Sequence, residues 1–154
     1  MRIAVVAVGK LKERHWRDAA AEYLKRLAPY AAIEVTEVAD RDVTRDERRA
    51  LAAEGTDILR AVPEGARMVL LDIGGKARSS EEIAAWLSGL ALDGDSHVAF
   101  VLGGAAGVAD EVRERAAERL SLGPVTLPHQ LARVVLLEQL YRAFKIARNE
   151  PYHR

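Results

Sequence analysis

Val98-Ala99-Phe100-Val101-Leu102-Gly103-Gly104-Ala105-Ala106-Gly107 decides the fold. Five apolar residues with β-branched and aromatic members read as a strand buried on both faces, and the glycines end it abruptly. Asp110 then opens a helix-like segment, so a strand runs through a glycine turn into a helix. Open α/β sheets bind ligands at this edge, because glycine lets the backbone approach a ligand closely. A tight strand-to-helix turn explains the same residues without a ligand. The spacing is neither GxGxxG nor GxxxxGK[ST], which disfavours nucleoside triphosphate hydrolysis.

The same grammar repeats outward. Apolar runs at Ile3–Val8, Ala32–Val38, Met68–Leu71 and Val125–Leu127 complete five expected strands. Helical spacing between them predicts helices over Glu13–Leu27, Thr44–Val62, Ser79–Leu90, Asp110–Leu120 and Pro128–Asn149. Thr44 with Glu47, and Ser79 with Glu82, are capping-box patterns. Strands alternating with helices imply a mostly parallel sheet in an α/β sandwich. With 154 residues and 49% hydrophobic content, one domain over 1–154 is expected.

Composition removes several chemistries. The chain has no cysteine, which excludes disulfides, thiolate metal sites and a thiolate nucleophile. No apolar run nears the ~20 residues of a bilayer span, so a soluble cytoplasmic protein without a membrane is expected. Net charge is zero but unevenly placed: residues 1–30 hold seven bases against three acids, residues 133–154 five against two, and 31–132 eleven against eighteen. Basic chain ends suit a nucleic-acid partner, and ordinary surface variation gives the same asymmetry.

Three further stretches carry polar groups. Leu70-Leu71-Asp72-Ile73-Gly74-Gly75-Lys76 ends a strand in an acid and glycines; Asp72 suits a ribose hydroxyl or ligand amine, or simply caps backbone N–H groups. Ser121 to His129 offers main-chain donors and acceptors fit for an adenine edge, with His129 a proton acceptor or a helix-start residue. The last helix carries Val134-Val135-Leu136-Leu137, apolar around more than half its circumference. A second cover is then needed, and a partner subunit supplies it in the expected homodimer; full burial within the chain is the alternative. Glu138, Arg142, Lys145 and Arg148 form a polar stripe with a favourable i,i+4 pair. Beyond Pro151, the trio Tyr152-His153-Arg154 joins an aromatic ring, an imidazole and a guanidinium, a set able to stack on a base and hold phosphate.

Leu71-Asp72-Ile73-x-Gly75-Lys76, Leu102-Gly103-Gly104-x-x-Gly107, Leu122-x-x-x-Thr126-Leu127-Pro128-His129, Arg133-x-x-x-x-Glu138-Gln139-x-Tyr141-Arg142-Ala143 and Pro151-Tyr152-His153-Arg154 together resemble one family. It is the RlmH family of ribosomal large-subunit (23S) pseudouridine N3-methyltransferases, of the SPOUT class, and Val6-Ala7-Val8-Gly9-Lys10 and Glu22-Tyr23-Leu24-Lys25-Arg26 extend the likeness across the chain. The resemblance implies a three-layer α/β sandwich with a five- or six-stranded, mostly parallel sheet and a C-terminal trefoil knot. It further implies a homodimer, S-adenosyl-L-methionine as cofactor, no metal, and the assembled ribosome as partner. Cofactor-binding positions carried over are Leu71, Asp72, Gly103, Gly104, Leu122, Gly123, Pro124, Val125, Thr126, Leu127 and Pro128. His129, Arg142, Tyr152, His153 and Arg154 are the candidate catalytic residues, with His129, His153 and Asp72 as possible bases. Relatives commonly carry Ser at position 123 and Pro-Glu or similar pairs at 105–106, where this sequence has Gly123 and Ala105-Ala106.

Overall fold

The computed structural model describes residues 1–152. Five strands, β1 (Arg2–Val8), β2 (Ala32–Val38), β3 (Arg67–Ala77), β4 (His97–Leu102) and β5 (Glu118–Ser121), form one sheet in the order β2-β1-β4-β3-β5. Every pairing is parallel, as the alternation of strands and helices requires. The helices are α1 (Arg14–Leu27), α2 (Glu47–Ala61), α3 (Ser80–Leu92), α4 (Asp110–Arg115) and α5 (His129–Ala147).

Period-two alternation places β1 between two cores. Ile3, Val5 and Ala7 face one way with Val98, Phe100 and Leu102 of β4, where side chains of α1, α3 and α5 cover them. Val6 and Val8 face the other way, with Val101, and pack under Ile58 of α2 and Val112 of α4. The result is three layers. Both faces of β1 and β4 are dry, which is why their sequences are continuously apolar rather than alternating.

Helix starts follow local chemistry. Ser79 accepts from the Glu82 N–H at 3.1 Å while the Glu82 carboxylate accepts from the Ser79 N–H at 2.7 Å, so the expected capping box forms. The box expected at Thr44 does not. Thr44 instead gives its N–H and hydroxyl to Asp42, and Asp46 caps α2 by accepting from Arg49 N–H at 3.0 Å. An Asp standing two residues closer to the apolar run is the better placed cap.

Two elements differ from expectation at the same place. Val125–Leu127 is not a strand, and α4 stops at Arg115 rather than continuing to Leu120. The fifth strand is Glu118–Ser121, whose Glu and Arg read as helical until pairing with β3 is considered; only Leu120 and Ser121 are buried. Tertiary pairing overrides propensity in so short a segment. β3 is also longer than expected. Its partner Leu120 lies opposite Leu71 and again opposite Lys76, so residues 72–75 leave the ladder as a four-residue excursion and rejoin it.

The circumference of α5 is largely covered within the chain, by the sheet beneath and by α1 and α3 on its flanks. Its end is a compact reversal. Asn149 adopts φ +54°, Glu150 N–H bonds the Lys145 carbonyl, and Asn149 N–H bonds that of Ile146, a Schellman turn with asparagine in the glycine position.

Candidate cofactor cleft and the C-terminal cluster

Where residues 72–75 leave the ladder between β3 and β5, and the chain runs on from β5, lies a cleft of about 260 Å³. The excursion after Leu71 makes one wall with Asp72 and Ile73, and residues 122–127 make the other. Leu120 and Ala132, the latter from the first turns of α5, close the remaining sides. Most of the surface is aliphatic. Ile73 and Val125 stand at the mouth, 62% and 65% exposed, which is unusual for side chains of their size.

The 122–127 wall is held open by a short device. Ser121 Oγ accepts from Gly123 N–H at 3.2 Å and donates to the Gly123 carbonyl at 3.0 Å, and Gly123 turns the chain at φ +112°. That conformation strains any side chain, so glycine suits position 123 where serine is common in the family. Past this turn, Val125, Thr126 and Leu127 find no hydrogen-bond partner for their N–H or C=O groups among the described residues. Three consecutive peptides without protein partners beside an apolar slot could serve a flat, hydrogen-bonding ring.

The opposite wall is braced by charge. Asp72 accepts from Gly74 N–H at 3.0 Å, and its other oxygen lies 3.3 Å from Arg119 Nη1 and 3.8 Å from Arg113 Nε. The carboxylate therefore caps its own turn, the second of its two sequence readings, and ties the excursion to β5 and α4.

Of the eleven expected cofactor positions, Leu71, Asp72, Leu122, Gly123, Val125, Thr126 and Leu127 converge on this cleft. Pro124 is exposed in the same loop and Pro128 caps α5, both outside the lining. Gly103 and Gly104 lie elsewhere. Gly103 sits in a narrow crevice with Gly9, Lys10, His129 and Arg133, and Gly104 in a cavity of about 210 Å³ with Asp40, Glu54 and His129. A Cβ on Gly103 would meet Val108 Cγ1 at 2.6 Å and the Gly107 carbonyl oxygen at 2.7 Å. The tight-turn reading of this glycine is thereby satisfied by the protein itself. In the second cavity the Glu54 carboxyl is pushed up by burial, although it accepts from Arg41 N–H at 2.8 Å. Sequence reasoning missed Ile73, Leu120 and Ala132 as cleft residues. Leu120 would have been found had 118–121 been read as a strand beside Leu71.

The remaining candidates gather on the outer side of α5. Arg142 Nε donates to Glu138 at 3.0 Å, and its guanidinium lies 4.7 Å from the centre of the Tyr152 ring. Tyr152 in turn stands edge-on to Tyr141 at 4.8 Å and donates to Glu138 at 3.2 Å, and desolvation pushes its hydroxyl up to about 12. Lys145 bonds Glu150 at 2.8 Å, and Arg148 covers the Tyr30 ring at 4.7 Å. His153 and Arg154 lie outside the described residues. Arg142 is ten residues along α5 from Ala132, a rise of roughly 15 Å at 1.5 Å per residue. Within one chain the aromatic–arginine cluster and the cleft are thus separate places.

Relatives agree with this architecture. The chain is 50% identical, over 98% of both proteins, to a Ribosomal RNA large subunit methyltransferase H of Pelotomaculum thermopropionicum. It is 48% identical over the full length of both to a protein of the same name from Listeria monocytogenes. A crystal structure of a probable methyltransferase from Bordetella pertussis, 20% identical, matches 93% of this chain and 96% of that one with a TM-score of 0.57, a likeness of fold. The family model described as "Predicted SPOUT methyltransferase" matches residues 1–153, and the chain belongs to that SPOUT methyltransferase family.

Proposed function

We propose that the protein methylates N3 of a pseudouridine in the 23S RNA of the large ribosomal subunit, using S-adenosyl-L-methionine and acting on assembled ribosomes in the cytoplasm. One observation carries the reading: an aliphatic cleft with the unpaired peptides of Val125, Thr126 and Leu127 on one wall, in a chain half identical to named large-subunit methyltransferases. Adenine fits such a wall, because its edge alternates donors and acceptors and its faces are apolar. Leu71, Leu120, Leu122 and Leu127 would flank the ring, and the main chain would read its edge. At about 260 Å³ the cleft is somewhat below the usual range of ligand sites, which suits a slot for the purine with the rest of the molecule reaching outward.

When bound, the cofactor supplies the methyl group on an electrophilic sulfonium, so the protein's work is orientation, exclusion of water and control of one proton. The N3 imide proton of the target must leave for the nitrogen to attack. His129, His153 and Asp72 are the candidate groups for that task, and Asp72 already caps its own turn and pairs with Arg119. Tyr152 would stack on a base, and Arg142 and Arg154 would hold phosphate or developing negative charge.

The separation of roughly 15 Å between cleft and cluster supports a homodimer in which the tail of one subunit serves the cleft of the other. The trefoil knot belongs to the same reading. Its support is the family match over residues 1–153.

Methyl transfer from labelled cofactor to ribosomes of cells lacking the enzyme, followed by nucleoside analysis, tests the proposal. N3-methylpseudouridine in 23S RNA is expected, and its absence would reject the assignment. In the homodimer, mixing a cleft variant with a tail variant, each inactive alone, should restore part of the activity.

A further inference from the structure

Basic residues near both chain ends suit an RNA partner, yet the cations of α5 are committed to the protein itself. Arg142 is held by Glu138 and Tyr152, Lys145 by Glu150, and Arg133 by Glu37 at 2.6 Å. The positive charge of residues 1–30 is disposed differently. Lys10, Lys12, Arg14 and Arg17 are all exposed where β1 leaves the sheet and α1 begins. Among the described residues neither Lys10 nor Lys12 has an ion pair, and Arg14 has only Asp18 at 3.5 Å, with both side chains more than two-thirds exposed. Pairs of that kind contribute almost nothing, so they leave the local field positive. Glu13 and Asp18 are the acids within the run, against four cations.

Two features make this a shaped surface rather than loose charge. Leu11 is 7% exposed and anchors the loop in the core between the two lysines, while Arg17 Nη1 donates to the Lys12 carbonyl at 3.0 Å and ties the loop to the helix. Half-buried Trp16 supports the exposed His15 ring at 4.7 Å, an aromatic face among the cations. The charges also sit badly for folding: α1 has no acid in its first turn, no side-chain cap at Glu13, and arginine where the helix dipole is positive. The position matters too. Lys10 shares its crevice with Gly103 and His129, and His129 lies one helical turn from Ala132 in the cofactor cleft.

We propose that Lys10, Lys12, Arg14 and Arg17 form the surface that docks the phosphate backbone of the RNA substrate beside the cofactor cleft. The inference rests on the ribosomal RNA reading above and gives that substrate its seat. Phosphates of a stem-loop lying across the first turn of α1 would replace the water and counterions now solvating these side chains, with His15 available to stack on an unpaired base.

The test is the salt dependence of the ribosome KM for methyl transfer, comparing the wild type with K12A/R14A/R17A and with K10A/K12A, which leaves α1 untouched. At about three lost phosphate contacts, the slope of log affinity against log salt should fall by roughly 2 to 3 for the triple variant. KM should rise by at least about tenfold at moderate salt, with kcat at saturating ribosomes and cofactor affinity retained. K10A/K12A should show a smaller change in the same direction. Coincident slopes and KM values in folded, cofactor-binding variants would overturn the proposal, as would binding to anionic vesicles with none to ribosomal RNA. If the wild type binds 23S RNA with a steep salt slope that the variants lose, but methylates nothing, the docking surface stands and the activity assignment fails.

Discussion

Gly103 shows how packing alone can require a glycine, whatever its backbone also contacts. Its neighbours leave no room for a methyl group, since both the Val108 side chain and the Gly107 backbone lie under 3 Å from where a Cβ would go. Gly103→Ala should therefore destabilise the fold by about 1–3 kcal/mol, the usual penalty for overpacking a dense site. Urea unfolding measures it; a midpoint unchanged from the wild type would mean the turn relaxes freely. The neighbouring cleft has the opposite character. Val125 is largely solvent-exposed and its backbone has no hydrogen-bond partner among the described residues, yet in the sequence it belongs to a run of apolar letters that reads as a strand. Nothing in those letters distinguishes a residue paired in a sheet from one whose peptide is left open for a ligand, and that is why seven cleft positions were legible mainly through the family resemblance.

At the scale of elements, the strands and helices whose periodicity is sustained were readable to within a few residues; the failures fell on the short β5 and α4 and on the far half of β3, where residues 72–77 extend the strand past its apolar run. β5 and α4 are too short for any period to declare itself, and their identity is set by β3. The turn after α5 was marked by Pro151, yet the reversal is made by Asn149. It delivers Tyr152 to Glu138 and Arg142, and that contact should respond to alkali. The Tyr152 hydroxyl is raised by burial, so the docked state keeps its proton where a free tyrosine would lose it. Stability from docking is accordingly full below pH 10 and declines as pH rises from about 10 to 12. Ultraviolet titration of tyrosinate, compared between the wild type and Tyr152→Phe, should show one phenol missing from the normal transition and present in the late one. Removal of no late-titrating group would show that the ring is not held against α5.

For the molecule as a whole, the parallel sheet sends every strand's carboxyl end to one edge, and the cleft, the glycine turns and the proposed docking cations all lie there. Alternation of strand and helix made that edge predictable from sequence. The strand order was not predictable, because it depends on which strands meet rather than on what each contains. The excursion at residues 72–75 has a consequence for the balance between durability and usefulness. Without those four residues Leu71 would continue straight into Lys76, and β3 and β5 would share an unbroken ladder through Leu120. A deletion of residues 72–75 should give a chain that still folds, with thermal stability within a few degrees of the parent or above it, and that no longer binds S-adenosylmethionine by calorimetry. Retained binding would place the ligand elsewhere. The imperfect sheet is what keeps the cleft open, so selection for a hardier variant would be expected to repair that flaw and close it.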